Sequence, residues 1–452
     1  MFSRMGLASW KRFLSCLLLL LLTLYKSLAK QYGNIYTVWI GRAPIVVLSG
    51  YQTVKEGLIN HSEGLSGRPV TPLLKETFKK KGIVLANGLT WKQQRRFGVA
   101  TMRALGLGKK GMEHQIEEEA LQLVEIFAKT KGQPFDPLLA LTNAVSSLIC
   151  VLAFGYRFSL EDEEFQKLVA AVDYLLKFGG SFISEIFPWL MKKLPGPQQK
   201  ALCSAELVLA FTRREIEKHK ERHSLHEPQD FIDFYLLQIE KDDPTSTYDE
   251  DNLAECICDL FIAGTETTAT SLQWALVVML AYPDIQGERD TYVLGSSHSI
   301  CFEDRKRLPF THAVIHEVLR AKFMLPVGIP RRSVKDVNMH GVTIPKRTIV
   351  IPDLCSVLLD PKQWETPGEF NPKHFLDKEG NFMSREEFLP FGAGKRMCLG
   401  EQMAKMELFL FFTNLVRTFR FQLPEGVQEL NQEPAMGLTF HPHPFKLCAI
   451  PR

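Results

Sequence analysis

No two of the nine cysteines in this 452-residue chain form a C-x-x-C pair, and their number is odd. That rules out a small secreted disulfide framework and points to reduced thiols in a cytosol-facing protein. Long hydrophobic runs are also scarce. The leucine-rich stretch from Phe13 to Tyr25 has only thirteen residues, six of them consecutive leucines from Leu17. As a helix it covers about 20 Å, against the roughly 30 Å of a bilayer core. It reads as a shortened anchor, a signal segment or an interfacial helix, with Arg4, Lys11 and Arg12 before it and Lys26 and Lys30 after it. No Pro-rich stretch follows it. Charge of one sign is lacking too: a formal net charge of +3 argues against a nucleic-acid partner. No internal repeat is present, which removes solenoid architectures. Gly106-Leu-Gly108-Lys-Lys-Gly111 fits G-x-G-x-x-G but follows a helical pattern, so the strand-turn-helix context of a dinucleotide site is absent.

What the chain does have is a cysteine loop, Phe391-Gly-Ala-Gly394-Lys-Arg396-Met-Cys398-Leu-Gly400. Gly392, Gly394 and Gly400 allow tight turns and close backbone approach to a flat group. A helical pattern begins at Leu399, which sets Cys398 at a helix N-terminus, where free amide donors and the helix dipole favour thiolate. A thiolate suits ferric iron, and Arg396 can reach an anionic group as a charge-assisted donor. A lone cysteine after a Gly-rich turn is more often structural; the whole ten-residue pattern reverses those odds.

Three other patterns stand out. Ala263-Gly264-Thr265-Glu266-Thr267-Thr268 lies in a helical stretch from about Asn252 to Tyr282 that Pro283 ends. Asp259 and Glu266 argue against its being a membrane span. Glu317-Val-Leu-Arg320 puts an acid and a base on one helix face, which alone reads as a surface ion pair. Trp91-Lys-Gln-Gln-Arg95 puts Trp91 and Arg95 on one face, which alone reads as a solvated basic helix.

With these motifs in this order, the chain resembles the cytochrome P450 family of haem-thiolate monooxygenases over roughly residues 31–452. Every fixed position of the family's Phe-x-x-Gly-x-Arg-x-Cys-x-Gly signature is matched. The resemblance implies a mainly α fold with a small β subdomain around haem b, with Cys398 as axial iron ligand and Phe391 beside it. Trp91, Arg95, Arg68, Arg331 and Arg396 would hold the haem propionates. Thr267 and Glu266 would deliver protons to the oxygen being reduced, and Gly264 would widen the helix groove for dioxygen. Glu317 and Arg320 would be structural, locked to the segment Phe370-Asn-Pro372-Lys-His374-Phe375, with His374 where many relatives have arginine. Phe261, Ala263, Leu325, Val327 and Phe440 would line the substrate pocket.

The activity implied is insertion of one oxygen atom from O2 into a C–H or C=C bond of a lipophile, polyunsaturated fatty acids first and xenobiotics second. Electrons would come from NADPH-cytochrome reductase, with cytochrome b5 as an optional second donor, and Arg95, Arg96, Arg103, Lys109, Lys110 and Lys395 offer cations for an acidic flavoprotein. Residues 1–30 would target the endoplasmic reticulum membrane rather than the mitochondrial one, and 182–197 would add a second membrane contact. Within the family the likeness is to the vertebrate microsomal second family, and there to the J-type fatty-acid epoxygenase branch, on Pro330-Arg331 and the run from Gly400 to Phe412.

Two departures from the family are Arg347, where relatives place a turn glycine, and the altered stretch Gly287 to Leu294. They leave open a non-catalytic or unstable haem-binding variant, alongside a haem-thiolate isomerase of the same fold; Thr267 and Glu266 favour the monooxygenase. Two hairpins are expected, Tyr36 to Leu48 and Val342 to Ile351.

Overall fold

The helix expected over 252–282 is the longest element of the computed structural model, Glu250–Ala281. Asp249 caps it by accepting from the Asn252 amide, Glu250 and Asp251 complement the dipole of its first turn, and it stops before Pro283. The structure describes residues 27–40, 43–69, 80–106, 110–159, 161–178, 196–222, 227–287, 299–325, 327–435 and 439–452. The leucine-rich stretch, all but the end of 182–197, the altered 288–294 and Lys109 lie outside them.

The long helices are α1 (Gly88–Ala104), α2 (Lys110–Lys129), α3 (Leu138–Phe154), α4 (Glu163–Phe178), α5 (Pro197–Arg222), α6 (Phe231–Ile239), α7 (Glu250–Ala281), α8 (Pro309–Ala321) and α9 (Glu401–Thr418). The strands are short: β1 (Ile35–Ile40), β2 (Ala43–Leu48), β3 (Arg331–Arg332), β4 (Val337–Met339), β5 (Val342–Ile344), β6 (Ile349–Pro352), β7 (Phe419–Gln422), β8 (Pro434–Ala435), β9 (His441–Pro442) and β10 (Cys448–Pro451). The fold is thus mainly α with a small β component, as expected. Among the described residues no helix is long and apolar enough to cross a membrane.

Two compact units divide the chain. The first comprises Met1–Pro69, His312–Cys398 and Asn431–Pro444. Its four-stranded sheet runs β1-β2-β6-β3, and β1 pairs antiparallel with β2 as the first hairpin predicts. The second hairpin does not form: β5 pairs with β4, while β6 joins β2 in parallel. Arg347 sits between them at φ 73°, the left-handed region that a turn glycine would occupy without strain. One face of the sheet is sealed by Val46, Leu48, Val54, Leu58 and Val350.

The second unit comprises Val70–Thr311, Leu399–Leu430 and Phe445–Arg452. Here α7 is buried along most of its length and packs on α3, α5, α9 and α4. Helix α3 is apolar nearly all round, the pattern of a fully enclosed helix. Gly264 lies against α3: a Cβ there would lie 2.4 Å from Ile149 Cδ1. The missing side chain of this glycine thus also makes room for the Ile149 side chain of a neighbouring helix. Asp259 of α7 accepts from the Ile83 and Val84 amides (2.6 and 2.9 Å), which fastens the segment leading into α1. Gly106 follows α1 directly, and Leu107 to Lys109 of the Gly106–Gly111 motif lie outside the described residues.

Candidate functional site

In the first unit the cysteine loop is a built turn. Cys398 donates its amide to Phe391 O (2.9 Å), Gly392 and Gly394 both have φ 70°, and the Cys398 side chain is exposed. Helix α9 begins at Glu401 with Gly400 as its cap, so Cys398 precedes the helix by three residues, two further out than the pattern from Leu399 predicts. Gly394 is tightly seated: a Cβ would fall 1.7 Å from the carbonyl oxygen of Leu58, in the π-helical turn Glu56–Asn60. The loop's second glycine is therefore required by a packed carbonyl on its Cβ side. The neighbouring Lys395 side chain pairs with Glu63.

Three arginines named from the sequence are buried in this unit, Arg68, Arg331 and Arg396. Arg68 Nη1 donates to the Ile329 and Pro330 carbonyls (2.9 Å each), Arg396 Nε to Ser66 O (2.8 Å) and Arg331 Nη2 to Arg396 O (3.4 Å). Bonds to carbonyls fix where the guanidiniums point. Three such cations beside a thiol loop are a donor set of the right sign for an iron-bound group with two carboxylates. The residues fit haem b: Cys398 as thiolate ligand, with Arg68, Arg331 and Arg396 as candidates for the propionates.

Glu317 and Arg320 are both fully buried and form a bidentate pair (2.6 and 2.7 Å). Arg320 also donates to the carbonyls of Leu358, Pro367 and Glu369 and lies over the Trp364 ring, with Arg385 also against that ring. Glu317 accepts from the Asn371 amide (2.8 Å) and lies 3.2 Å from His374 Nδ1. His374 Nε2 accepts from the Thr366 amide (3.2 Å), so Nδ1 carries the proton that faces Glu317. The histidine thus belongs to the buried network around Glu317. Of the pocket candidates in this unit, Leu325 and Val327 are half-buried, and Val327 packs on Tyr36, Val47 and Ile351. Phe440 is buried, its amide bonded to Met324 O and its ring 6.4 Å from Phe323.

In the second unit, Trp91 is buried and Arg95 half-buried on α1. Arg96 and Arg103 are exposed on the same helix. On α7, Ala263 is exposed, and Thr267, one turn on, is half-buried with its hydroxyl bonded back to Ala263 O (2.6 Å). Such a bond to the i−4 carbonyl bends a helix. An open strip in an otherwise buried helix is where a reactant could lie. Glu266 is buried and accepts from Thr270 Oγ1 (3.1 Å). Phe261 is fully buried in ring contact with Phe154. Two residues missed by the sequence reading are Glu407 of α9 and its partner Thr268, whose hydroxyl donates to Glu407 Oε2 (3.0 Å). The available signal was an acid inside Met406-Glu407-Leu408-Phe409, a run otherwise apolar.

The sequence profile of the family "Cytochrome P450" matches residues 13–449. Cytochrome P450 2J2 of Homo sapiens is 41% identical over 432 residues, 94% of this chain and 86% of that protein. Cytochrome P450 2J5 of Mus musculus is 42% identical over 431 residues (94% and 85%), and cytochrome P450 2K1 of Oncorhynchus mykiss 41% over 441 (94% and 86%). A match along nearly the whole chain, joined to the thiol loop and its buried arginines, makes this chain a member of the cytochrome P450 family, a haem-b-dependent monooxygenase.

Proposed function

We propose that this protein oxygenates lipophilic substrates, polyunsaturated fatty acids such as arachidonate before xenobiotics, at the endoplasmic reticulum membrane. Its electron donor is NADPH-cytochrome reductase, with cytochrome b5 as an accessory. The observation that carries this is the Cys398 loop, fixed in a left-handed double-glycine turn beside Arg68, Arg331 and Arg396. The similarity to cytochromes P450 2J2 and 2J5 supports the fatty-acid preference. In this reading residues 31–452 act as one catalytic domain and residues 1–30 as its membrane-targeting segment. Trp91 and Arg95 join the arginines in holding the propionates, and Phe391 screens the sulfur.

Haem b, once bound through Cys398, supplies reductive activation of O2. The chain's own residues do the rest. Thr267, free to give up its bond to Ala263 O, offers a hydroxyl from the open strip of α7, and Glu266 beside it is the acid that resupplies protons. Ala263, Leu325, Val327 and Phe440 shape the substrate side, with Phe261 backing it from the core, while Glu317 and Arg320 hold the meander around residues 358–374.

The test is the carbon monoxide difference spectrum of the reduced protein with and without Cys398→Ser. A strongly red-shifted Soret band that the variant loses, followed by reductase-dependent epoxidation of arachidonate, is expected. A band of neutral-ligand haem in both overturns the assignment of Cys398, and conversion of peroxides without any electron donor favours an isomerase.

A further inference from the structure

Glu407 is 2% exposed, in the middle of α9. Its Oε2 accepts from Thr268 of α7, and its Oε1 has no hydrogen-bond partner among the described residues. One neutral donor is poor compensation for a buried carboxylate, so the group keeps its proton instead. Burial pushes it up to about 8, and the Thr268 bond offsets this only in part. Elements packed on α9 are α2, α7, the turn Phe302–Lys306 and β7. Charged groups on these elements include Glu117, Glu266, Asp304 and Arg420, while the shift at Glu407 is set by burial, with the Thr268 hydroxyl as the opposing contact.

The hydroxyls of Thr267 and Ser271 bond to carbonyls of α7 itself, and that of Thr270 bonds to Glu266 on the same helix. Thr268 instead crosses to another helix, as Thr265 does more weakly to Ser146 of α3 (3.5 Å), and of the two it is Thr268 that adjoins Thr267, on its C-terminal side. Apolar packing alone tolerates small rotations of a helix about its axis, whereas a directional bond at one residue fixes the azimuth of its neighbours. Thr267 is that neighbour, about 100° round the helix.

We propose that Glu407 is a positioning residue for Thr267: through Thr268 it fixes the rotation of α7 that sets where the Thr267 hydroxyl faces. It thereby also joins α7 to α9, the helix that follows Cys398 in the chain. The inference rests on the role given to Thr267 above.

The test compares wild type with Glu407→Gln, Glu407→Leu and Thr268→Val, all as haem-loaded full-length protein. Melting temperature is followed from about pH 6 to about 9.5, together with hydrogen peroxide released per NADPH consumed in the presence of reductase. Glutamine keeps the acceptor for Thr268 and cannot ionise. The Glu407→Gln variant therefore matches wild type in peroxide yield at neutral pH, but lacks the fall in melting temperature and the rise in peroxide that wild type shows as pH climbs through about 8. The Leu and Val variants release about fivefold more peroxide at every pH, the factor expected for one lost hydrogen bond. The proposal is overturned if Glu407→Gln retains both alkaline changes, or if the Leu and Val variants melt lower yet release no more peroxide. A Thr267→Ala enzyme that releases no extra peroxide refutes the role of Thr267 itself while leaving the melting profiles of the Glu407 variants intact, so the two failures are distinguishable.

Discussion

Gly394 shows how much one residue can demand. Its left-handed φ disfavours any side chain, and the Leu58 carbonyl fills the space a Cβ would take. Gly394→Ala should therefore cost at least about 2 kcal/mol and lower the haem content of purified protein, measured by absorbance per mole of chain. The motif was legible in the sequence, but the Leu58 carbonyl, more than 300 positions away, was not. The same holds for Glu317 and Arg320. Their spacing alone reads as a surface pair, and only the fold takes both out of water and surrounds Arg320 with three carbonyls and Trp364. Breaking such a pair leaves an uncompensated buried charge, so Arg320→Leu should cost about 3–5 kcal/mol, read from denaturant midpoints. Arg320→Lys should recover little, because an ammonium cannot reproduce the fork.

At the scale of elements, helices were read more accurately than strands. The run 252–282 could be bounded because its cap, first-turn acids and terminal proline are all local. The hairpin expected over 342–351 failed because the pairing of β6 is decided by Val46 and Val47, some 300 residues upstream, and nothing local records that partner. The family resemblance did flag Arg347 as standing where a turn glycine is expected, and its φ of 73° agrees. Arg347→Gly should accordingly stabilise the protein by about 1 kcal/mol in chemical unfolding. Gly264 teaches the opposite lesson. Its motif suggested a groove for dioxygen and gave no sign that the Ile149 side chain of α3 packs against it. Gly264→Ala should lower the melting temperature modestly, because an inserted methyl meets Ile149 Cδ1 and that side chain has to shift.

For the molecule as a whole, several buried groups favour the proton-bound form. Burial raises Glu407 to about 8 and also raises Glu119, where the Ser147 bond and Arg157 work against it. His219 links the ends of three helices, bonding to Glu215 O on α5, Phe154 O at the end of α3 and the Asp230 cap of α6. Burial works to lower its pKa, but the bond and charge of Asp230 prevail and hold it above its usual value. In each case the folded chain binds more protons than the unfolded one, so the stability is present at acid pH and is lost as pH rises through the folded pKa. The Glu407 contribution to melting temperature should thus decline from about pH 4.5 and be exhausted a little above about pH 8, and His219→Gln should flatten the part of the decline that begins near pH 6.5.

The seat that Leu58 offers to Gly394 also bears on the order of events during synthesis. Position 58 leaves the ribosome 340 residues ahead of Cys398. The buttress for the ligand loop is therefore translated long before the loop, which needs only its own few residues to close once it emerges. Closure of the cysteine loop then becomes a late step, waiting on the last eighth of the chain, and translation halted before residue 394 yields a product with an anvil and no hammer.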